Sequence, residues 1–370
     1  MSDSCKFQAS DCIENDRHRS LIFVSATVSV NSSRSGVIRL TTLYEDDVDT
    51  SLIRQRRVAV LGFGAQGRAH ALNLHDSGVD VVVGLRATSP SRAACAAAGV
   101  AVLDIAAAVE TSDIVMMLVP DEAQAAVYAD AVAPRLRPGA MLAFAHGYNL
   151  HYGYIRPRDD LDTVMVAPLA IGDQVRRRFV AGGGVPALLA LYHDASGSAL
   201  AIAAAYGWAN GHARAGMIET TIEAETETDL FAEQVVLCGG LTHLITAAYE
   251  TLTEAGYPDE LAYFSCLHEV TLIAEMMQKR GIAGMRESIS STAEFGDYTR
   301  GPRVIGADSR AAMQEILAEI RSGQFARELS AEVDAGMPTI TRGRKAARRH
   351  DIEAVGKRLR ALMPWLDDDA

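Results

Sequence analysis

The stretch from Arg57 to Leu85 constrains the fold most. It opens on a short apolar run, Arg57-Val58-Ala59-Val60-Leu61. It continues through Gly62-Phe63-Gly64-Ala65-Gln66-Gly67, enters the helix-compatible segment Arg68–Gly78 and returns to an apolar run at Val79–Leu85. Strand, glycine turn, helix and second buried strand make the first βαβ unit of a doubly wound sheet, the setting in which G-x-G-x-x-G becomes a specific signal. Gly62 permits the tight turn, Gly64 lets the backbone approach a pyrophosphate, and Gly67 lets helix pack on strand. With Phe63, Ala65 and Gln66 these residues form a dinucleotide-binding turn, and the helix N-terminus offers N–H groups and a positive dipole end to the phosphates.

The end of the second strand selects between cofactors. An acid there would hold a ribose 2′-hydroxyl. The chain instead has Arg86, Ser89, Ser91 and Arg92, with no acid from Gly84 to Arg92. Guanidinium forks and hydroxyls donate to a 2′-phosphate, so the pattern predicts NADPH in preference to NADH. The competing reading of this segment is a solvated loop.

Further α/β units follow, with strands expected at Val100–Asp104, Asp113–Pro120 and Thr163–Ala170, and with Met141–Leu150 carrying another strand into His146-Gly147-Tyr148. Ligands in open α/β sheets sit at the carboxyl ends of strands. Pro120, His146 and the Pro168–Leu169 turn are therefore expected beside the nicotinamide. A lone histidine is often structural, and His146 stays open between that role and catalysis.

The full length of 370 residues allows two or three domains. A formal charge of -12 argues against nucleic acid as a partner. No run of the roughly 18 apolar residues needed to span a membrane is evident. The cysteines Cys5, Cys12, Cys95, Cys238 and Cys266 are few and scattered. That disfavours a disulfide framework or structural zinc and fits a reducing cytoplasm. Residues 1–40 read as a flexible N-terminal extension or an over-extended translation start. Their acid-free stretch with Arg17, Arg19, Arg34 and Arg39 is a faint transit-peptide pattern.

From about Glu223 the pattern becomes long-period helical. Asp229 and Glu233 are four residues apart and share a helix face. Their neighbours Leu230, Phe231, Val235 and Val236 predict a largely buried helix. Buried carboxylates need partners, and a divalent cation is a natural one. Glu269 lies on a later helix among apolar residues, with Ser265 four positions before it. Each acid equally suits a solvated face or a helix end.

At this point the chain resembles the ketol-acid reductoisomerases, from about Tyr44 to Leu366. The resemblance rests on LGFGAQGRAHALNLHDSGVDVVVGLR, MMLVPDE, AFAHGYN, ARAGMIETTIEAETETDLFAEQVVLCGGLT, SISSTAEFGDYTRGPRVI and MPWL, in that order. It implies a Rossmann-type α/β NADP-binding domain over 41–222. An all-α, knotted C-terminal domain follows over 223–370 and dimerises so that two subunits share each active site. It implies an alkyl migration followed by NADPH reduction of the resulting 2-oxo acid, with Mg²⁺ as Lewis acid. By position, Asp229 and Glu233 match metal-binding acids, Glu269 a carboxylate from the other subunit, Ser290 a serine on the substrate carboxylate, and His146 the histidine near the nicotinamide. Ser89 and Ser91 match residues around the 2′-phosphate.

Three departures fall in the site. The family's lysine after Ala-Pro is Leu169, its Gly-Pro-Gly-His is Ala170-Ile171-Gly172-Asp173, and its first glutamate on the later helix is Ser265. Tyr148 stands where Phe is usual and is a possible proton donor as well as a packing residue. The expectation is a reductase of this superfamily acting on a 2-oxo acid or related carbonyl or imine, with isomerisation weakened or lost and metal binding reduced to one ion or otherwise altered. The alternatives are an ordinary ketol-acid reductoisomerase making 2,3-dihydroxy-isovalerate from 2-acetolactate, and an inactive NADP-binding homologue.

Overall fold

A computed structural model of the chain describes residues 41–363. The reading of residues 1–40 falls outside the described residues. Apolar, β-branched runs form the strands β1 (Thr42–Leu43), β2 (Arg57–Leu61), β3 (Asp80–Gly84), β4 (Ala101–Leu103), β5 (Ile114–Met117), β6 (Met141–Phe144), β7 (Asp162–Pro168), β8 (Ala187–His193) and β9 (Met217–Thr220). From β2 onward they lie in the order β9-β8-β7-β6-β5-β2-β3-β4. Neighbours are parallel except β7 and β8, which are antiparallel.

Alternation along each strand loads both faces of the sheet. Val58, Val60, Val81, Val83, Ile114 and Met116 belong to one core. Ala59, Leu61, Val82, Val115, Met117 and Leu142 belong to the other. A sheet covered on both faces needs continuous apolar runs, which is why these strands stand out in the sequence. Strand order reverses between β2 and β5, so a crevice opens at their carboxyl ends. Strands β8 and β9 were not expected. Ala187-Leu188-Leu189-Ala190-Leu191 has no strand-specific composition, and a short apolar run of this kind does not distinguish strand from helix.

After β9 the described chain is helical. Helices Ile222–Ala232 and Gly239–Glu254 are joined by a π-helical turn, Glu233–Leu237, and helices Asp259–Tyr263 and Val270–Arg286 by another, Phe264–His268. Helices Ser291–Val304, Ala307–Arg321, Gln324–Asp334, Pro338–Ala347 and Asp351–Arg360 complete this part. Tyr249 and Tyr263 pack on Ile352, Val355 and Leu359 of the last of these helices.

Two expectations about the Asp229 helix need correction. Leu230 is buried, but Phe231 and Val235 are half-buried and Val236 is exposed, as are Leu237, Leu241 and Leu244. The helix projects beyond the core, so these apolar residues have no cover among the described residues. Moreover, Ile222–Glu254 forms one 33-residue helical run, long and apolar enough by length and composition to cross a membrane. Thr, Glu and Gly residues interrupt its apolar stretches, which hides the run in the sequence. Its Asp229 and Glu233 line the crevice described next.

Candidate active site

A cavity of about 1410 Å³ opens at the carboxyl ends of the strands. Gly62, Phe63, Gly64, Ala65, Gln66, Arg86, Ser89, Ser91, Pro120, His146, Asp229 and Glu233 all line it. The glycine turn is built as its spacing demands. Gly62 has φ +108, and a Cβ there would overlap the carbonyl of Leu118. A Cβ at Gly64 would meet nothing, leaving the backbone open to a close ligand. Gly67 does not line the cavity; it lets the helix Ala65–Asp76 sit against the carbonyl of Gly62. Gly64 caps that helix with no side-chain hydrogen bond, the arrangement that suits an incoming phosphate.

At the end of β3, Arg86, Ser89 and Ser91 face the cavity while Arg92 does not. Arg92 donates to the Leu85 carbonyl at 3.1 Å and pairs with Asp104 at 2.9 Å. It braces the loop, and the set available to a 2′-phosphate shrinks to one guanidinium and two hydroxyls.

His146 follows β6 at the centre of the cavity. Its Nδ1 donates to Glu225 Oε1 at 3.0 Å and lies 3.6 Å from Asp229 Oδ2. Glu225, whose side chain is only 4 % exposed, accepts a second bond from the Gly147 N–H at 3.0 Å. Burial opposes a charge on His146, but the hydrogen bond and charge of Glu225, with Asp121 and Asp229, outweigh it and raise its pKa to about 9. Burial also raises the carboxyls of Asp121, Asp229 and Glu233, and mutual repulsion adds to each while His146 opposes it. His146, Glu225 and Asp229 offer ligand atoms within 4.8 Å of one another. The carboxylate oxygens of this set suit a hard divalent cation, while the Nδ1 proton that His146 gives to Glu225 keeps the imidazole out of such a ligand set.

Sequence reasoning missed Glu225 and Asp121. Glu225 precedes Asp229 by the same four-residue spacing that links Asp229 to Glu233, so a run of acids on one helix face was there to be read. Asp121 carries no such pattern; it enters because Asn149 donates to its carbonyl at 3.1 Å and holds the two loops together. Glu269, Ser290 and Ser265 do not line the cavity of their own chain. Glu269 ends a π-helical turn, and Ser290 accepts from the Ala293 N–H at 3.2 Å as a helix N-cap. Tyr148 lines the cavity, but its hydroxyl donates to the Ala326 carbonyl at 3.4 Å. Burial raises its pKa, which makes it a packing anchor and a poor acid.

Leu169-Ala170-Ile171 forms a further wall. Leu169 is 53 % exposed and Ile171 68 %, and both line the cavity. The wall is tied to the glycine turn. Gln66 Nε2 donates to the Ala170 carbonyl at 2.8 Å, and a Cβ on Gly172 would overlap the backbone of Ala65.

A Rossmann-like sheet with a glycine turn, a polar strand-end loop and a histidine among carboxylates defines a nicotinamide-dinucleotide-dependent oxidoreductase. The model of the acetohydroxy acid isomeroreductase NADPH-binding domain matches residues 52–216, and that of the ketol-acid reductoisomerase C-terminal domain matches residues 222–365. The chain belongs to the ketol-acid reductoisomerase family. An NADH-preferring ketol-acid reductoisomerase from an uncultured archean is 41 % identical, with TM-score 0.84, over 87 % of this chain and 98 % of that one. A putative oxidoreductase from Jannaschia sp. CCS1 shares the fold at 19 % identity and TM-score 0.54, over 72 % of this chain and 97 % of that one. A semialdehyde dehydrogenase NAD-binding protein from Cupriavidus necator does so at 20 % and 0.54, over 72 % and 99 %.

Proposed function

We propose that the chain is an NADPH-dependent reductase of a 2-oxo acid or related carbonyl or imine, in which the alkyl migration of its family is weakened or lost. The apolar wall carries this reading. Leu169 and Ile171 add hydrocarbon to the cavity that Asp229 and Glu233 also line, and Leu169 stands where the family resemblance expects a lysine. A preorganised cation at developing negative charge is typically worth ~3–4 kcal/mol, enough to decide whether a migration proceeds. Reduction asks less of the site, since one donor near the carbonyl oxygen suffices. His146 holds one proton at Nδ1 between Glu225 and Asp229. When the ring is charged, its Nε2 carries the second proton, the one able to reach a carbonyl oxygen. Pro120 and the glycine turn orient the dinucleotide.

Asp229 and Glu233 are the residues that would hold Mg²⁺, with Glu269 supplied by a second copy, while Ser290 would meet the substrate carboxylate. Held there, the ion would supply Lewis-acid polarisation of the substrate oxygens. Ser265 leaves one carboxylate fewer, which favours one ion or an altered site. A homodimer with shared sites would cover the exposed Val236, Leu237 and Leu241 and would account for Glu269 not lining the cavity of its own chain, and the chain would divide into domains 41–222 and 223–370. That second copy, in preference to a membrane, is the cover for the long helix. NADPH is favoured over NADH because Arg86, Ser89 and Ser91 line the cavity without an acid, although the archean relative prefers NADH. The free thiols Cys95, Cys238 and Cys266 suit a cytoplasmic setting, and the charge of -12 disfavours nucleic acid.

An ordinary ketol-acid reductoisomerase is the second reading, favoured by 41 % identity to such an enzyme. NADPH oxidation with and without Mg²⁺ separates the two. We expect turnover of 3-hydroxy-3-methyl-2-oxobutanoate, which needs only reduction, and little turnover of 2-acetolactate. Turnover of both restores the ordinary activity. Silence on both, with NADPH bound, points to a non-catalytic homologue or a remoter substrate. Gain of acetolactate conversion in the Leu169→Lys, Ser265→Glu double variant would trace the defect to those positions.

A further inference from the structure

The cavity extends past the dinucleotide-binding elements. Those elements are the glycine turn, the Arg86–Ser91 loop and Pro120, all on strand tips of the sheet. Part of the cavity's apolar lining comes from other parts of the chain: Tyr148 after β6, Leu230 on the Asp229 helix, and Phe325 and Leu329 on Gln324–Asp334. These residues form one cluster, with Tyr148 and Leu230 buried and Phe325 and Leu329 partly open. The cluster adjoins the polar centre at two points. The Tyr148 ring stacks by His146 with centroids 6.4 Å apart, and Leu230 is the next residue after Asp229. It is also held in place. Tyr148 and Tyr154 both donate to the Ala326 carbonyl, at 3.4 and 3.2 Å, and Tyr152 donates to that of Ile320 at 2.9 Å.

We infer that Tyr148, Leu230, Phe325 and Leu329 form a preformed specificity pocket for an aliphatic substituent of the substrate, with Phe325 setting its depth. The inference rests on the carbonyl-reductase reading above. A pinned hydrocarbon surface beside the only histidine–carboxylate cluster among the described residues has a use when the reacting carbonyl carries a chain longer than methyl. Each buried methylene then contributes ~0.8 kcal/mol, about fourfold in kcat/KM.

The test is a homologous series of 2-oxo acids, from 2-oxobutanoate through 2-oxohexanoate to 2-oxooctanoate, reduced by the full-length protein with NADPH and Mg²⁺. In the wild type kcat/KM should climb about fourfold per methylene and then level off. Phe325→Trp should move the plateau to shorter chains and Phe325→Ala to longer ones. Leu329→Phe, a milder change, should reproduce the shortening. A flat series, or one identical in wild type and variants, overturns the pocket. If no oxo acid is reduced, the reductase reading fails separately. The pocket is then judged by calorimetry of butanoate, hexanoate and octanoate on the NADP⁺ complex. Affinity rising with length in the wild type and flattening in Phe325→Trp supports it, and affinity independent of length overturns it.

Discussion

Two buried histidines behind the glycine-turn helix should make the protein acid-sensitive. His70, on Ala65–Asp76, and His212, just before β9, are both 0 % exposed. His70 Nδ1 lies 2.8 Å from the Tyr206 hydroxyl, and His212 Nδ1 donates to the Val185 carbonyl at 2.9 Å. The Nε2 atoms of both lack a hydrogen-bond partner, and the ring centroids are 6.2 Å apart. Burial, then the proximity of His212, lowers His70 to about 3. Burial lowers His212 to about 4, against a smaller upward push from its bond to Val185. Both folded values lie below the unfolded value of about 6.5, so the unfolded chain binds more protons as pH falls. Stability is full above that value and is lost toward the folded ones. Between pH 7 and pH 5 each histidine should cost ~2 kcal/mol, or ~4 kcal/mol together. Urea unfolding at pH 7, 6 and 5 measures this for the wild type, His70→Gln and His212→Gln. Each variant starts from its own stability at pH 7, so the quantity to compare is the slope. Averaged from pH 7 to pH 5 it should fall by ~1 kcal/mol per pH unit per histidine removed, and the contribution of His146 cancels in the comparison. Equal slopes in all three proteins would refute the claim that these rings are buried and neutral.

Three further outcomes are expected. Arg86→Ala should weaken NADPH binding by ten- to a hundredfold, from loss of a charge-assisted bond of ~1.5–3 kcal/mol, and leave NADH affinity little changed; fluorescence titration with both cofactors checks this. Glu225→Gln should let the His146 pKa fall from about 9 toward or below the ordinary ~6.5, read by NMR titration of the metal-free protein. The contribution of His146 to stability, now retained up to its raised folded value and lost as pH rises through it, should then be lost at lower pH. Gly172→Ala should cost ~1–3 kcal/mol through overpacking against Ala65 and weaken dinucleotide binding as well, because the strained backbone is the glycine turn; thermal melts and NADPH titration test both effects.

Much of the first domain was readable because a parallel sheet covered on both faces forces continuous apolar strands, and phosphate binding forces glycines at set intervals. By itself the sequence therefore determined β2, the turn, the helix after it and β3. It also determined that Arg86, Ser89 and Ser91 would follow a strand end, and that Asp229 and Glu233 would share a helix. Tertiary structure decided what lies far apart in the chain. It joined His146 to Glu225 across 79 residues, turned Arg92 away to Asp104, and clamped Ala170 to Gln66. It also brought Phe325 and Leu329 to the cavity and left Val236 and Leu237 uncovered. Local periodicity records which face of an element is apolar. Which distant element meets that face depends on packing, which no window of sequence contains.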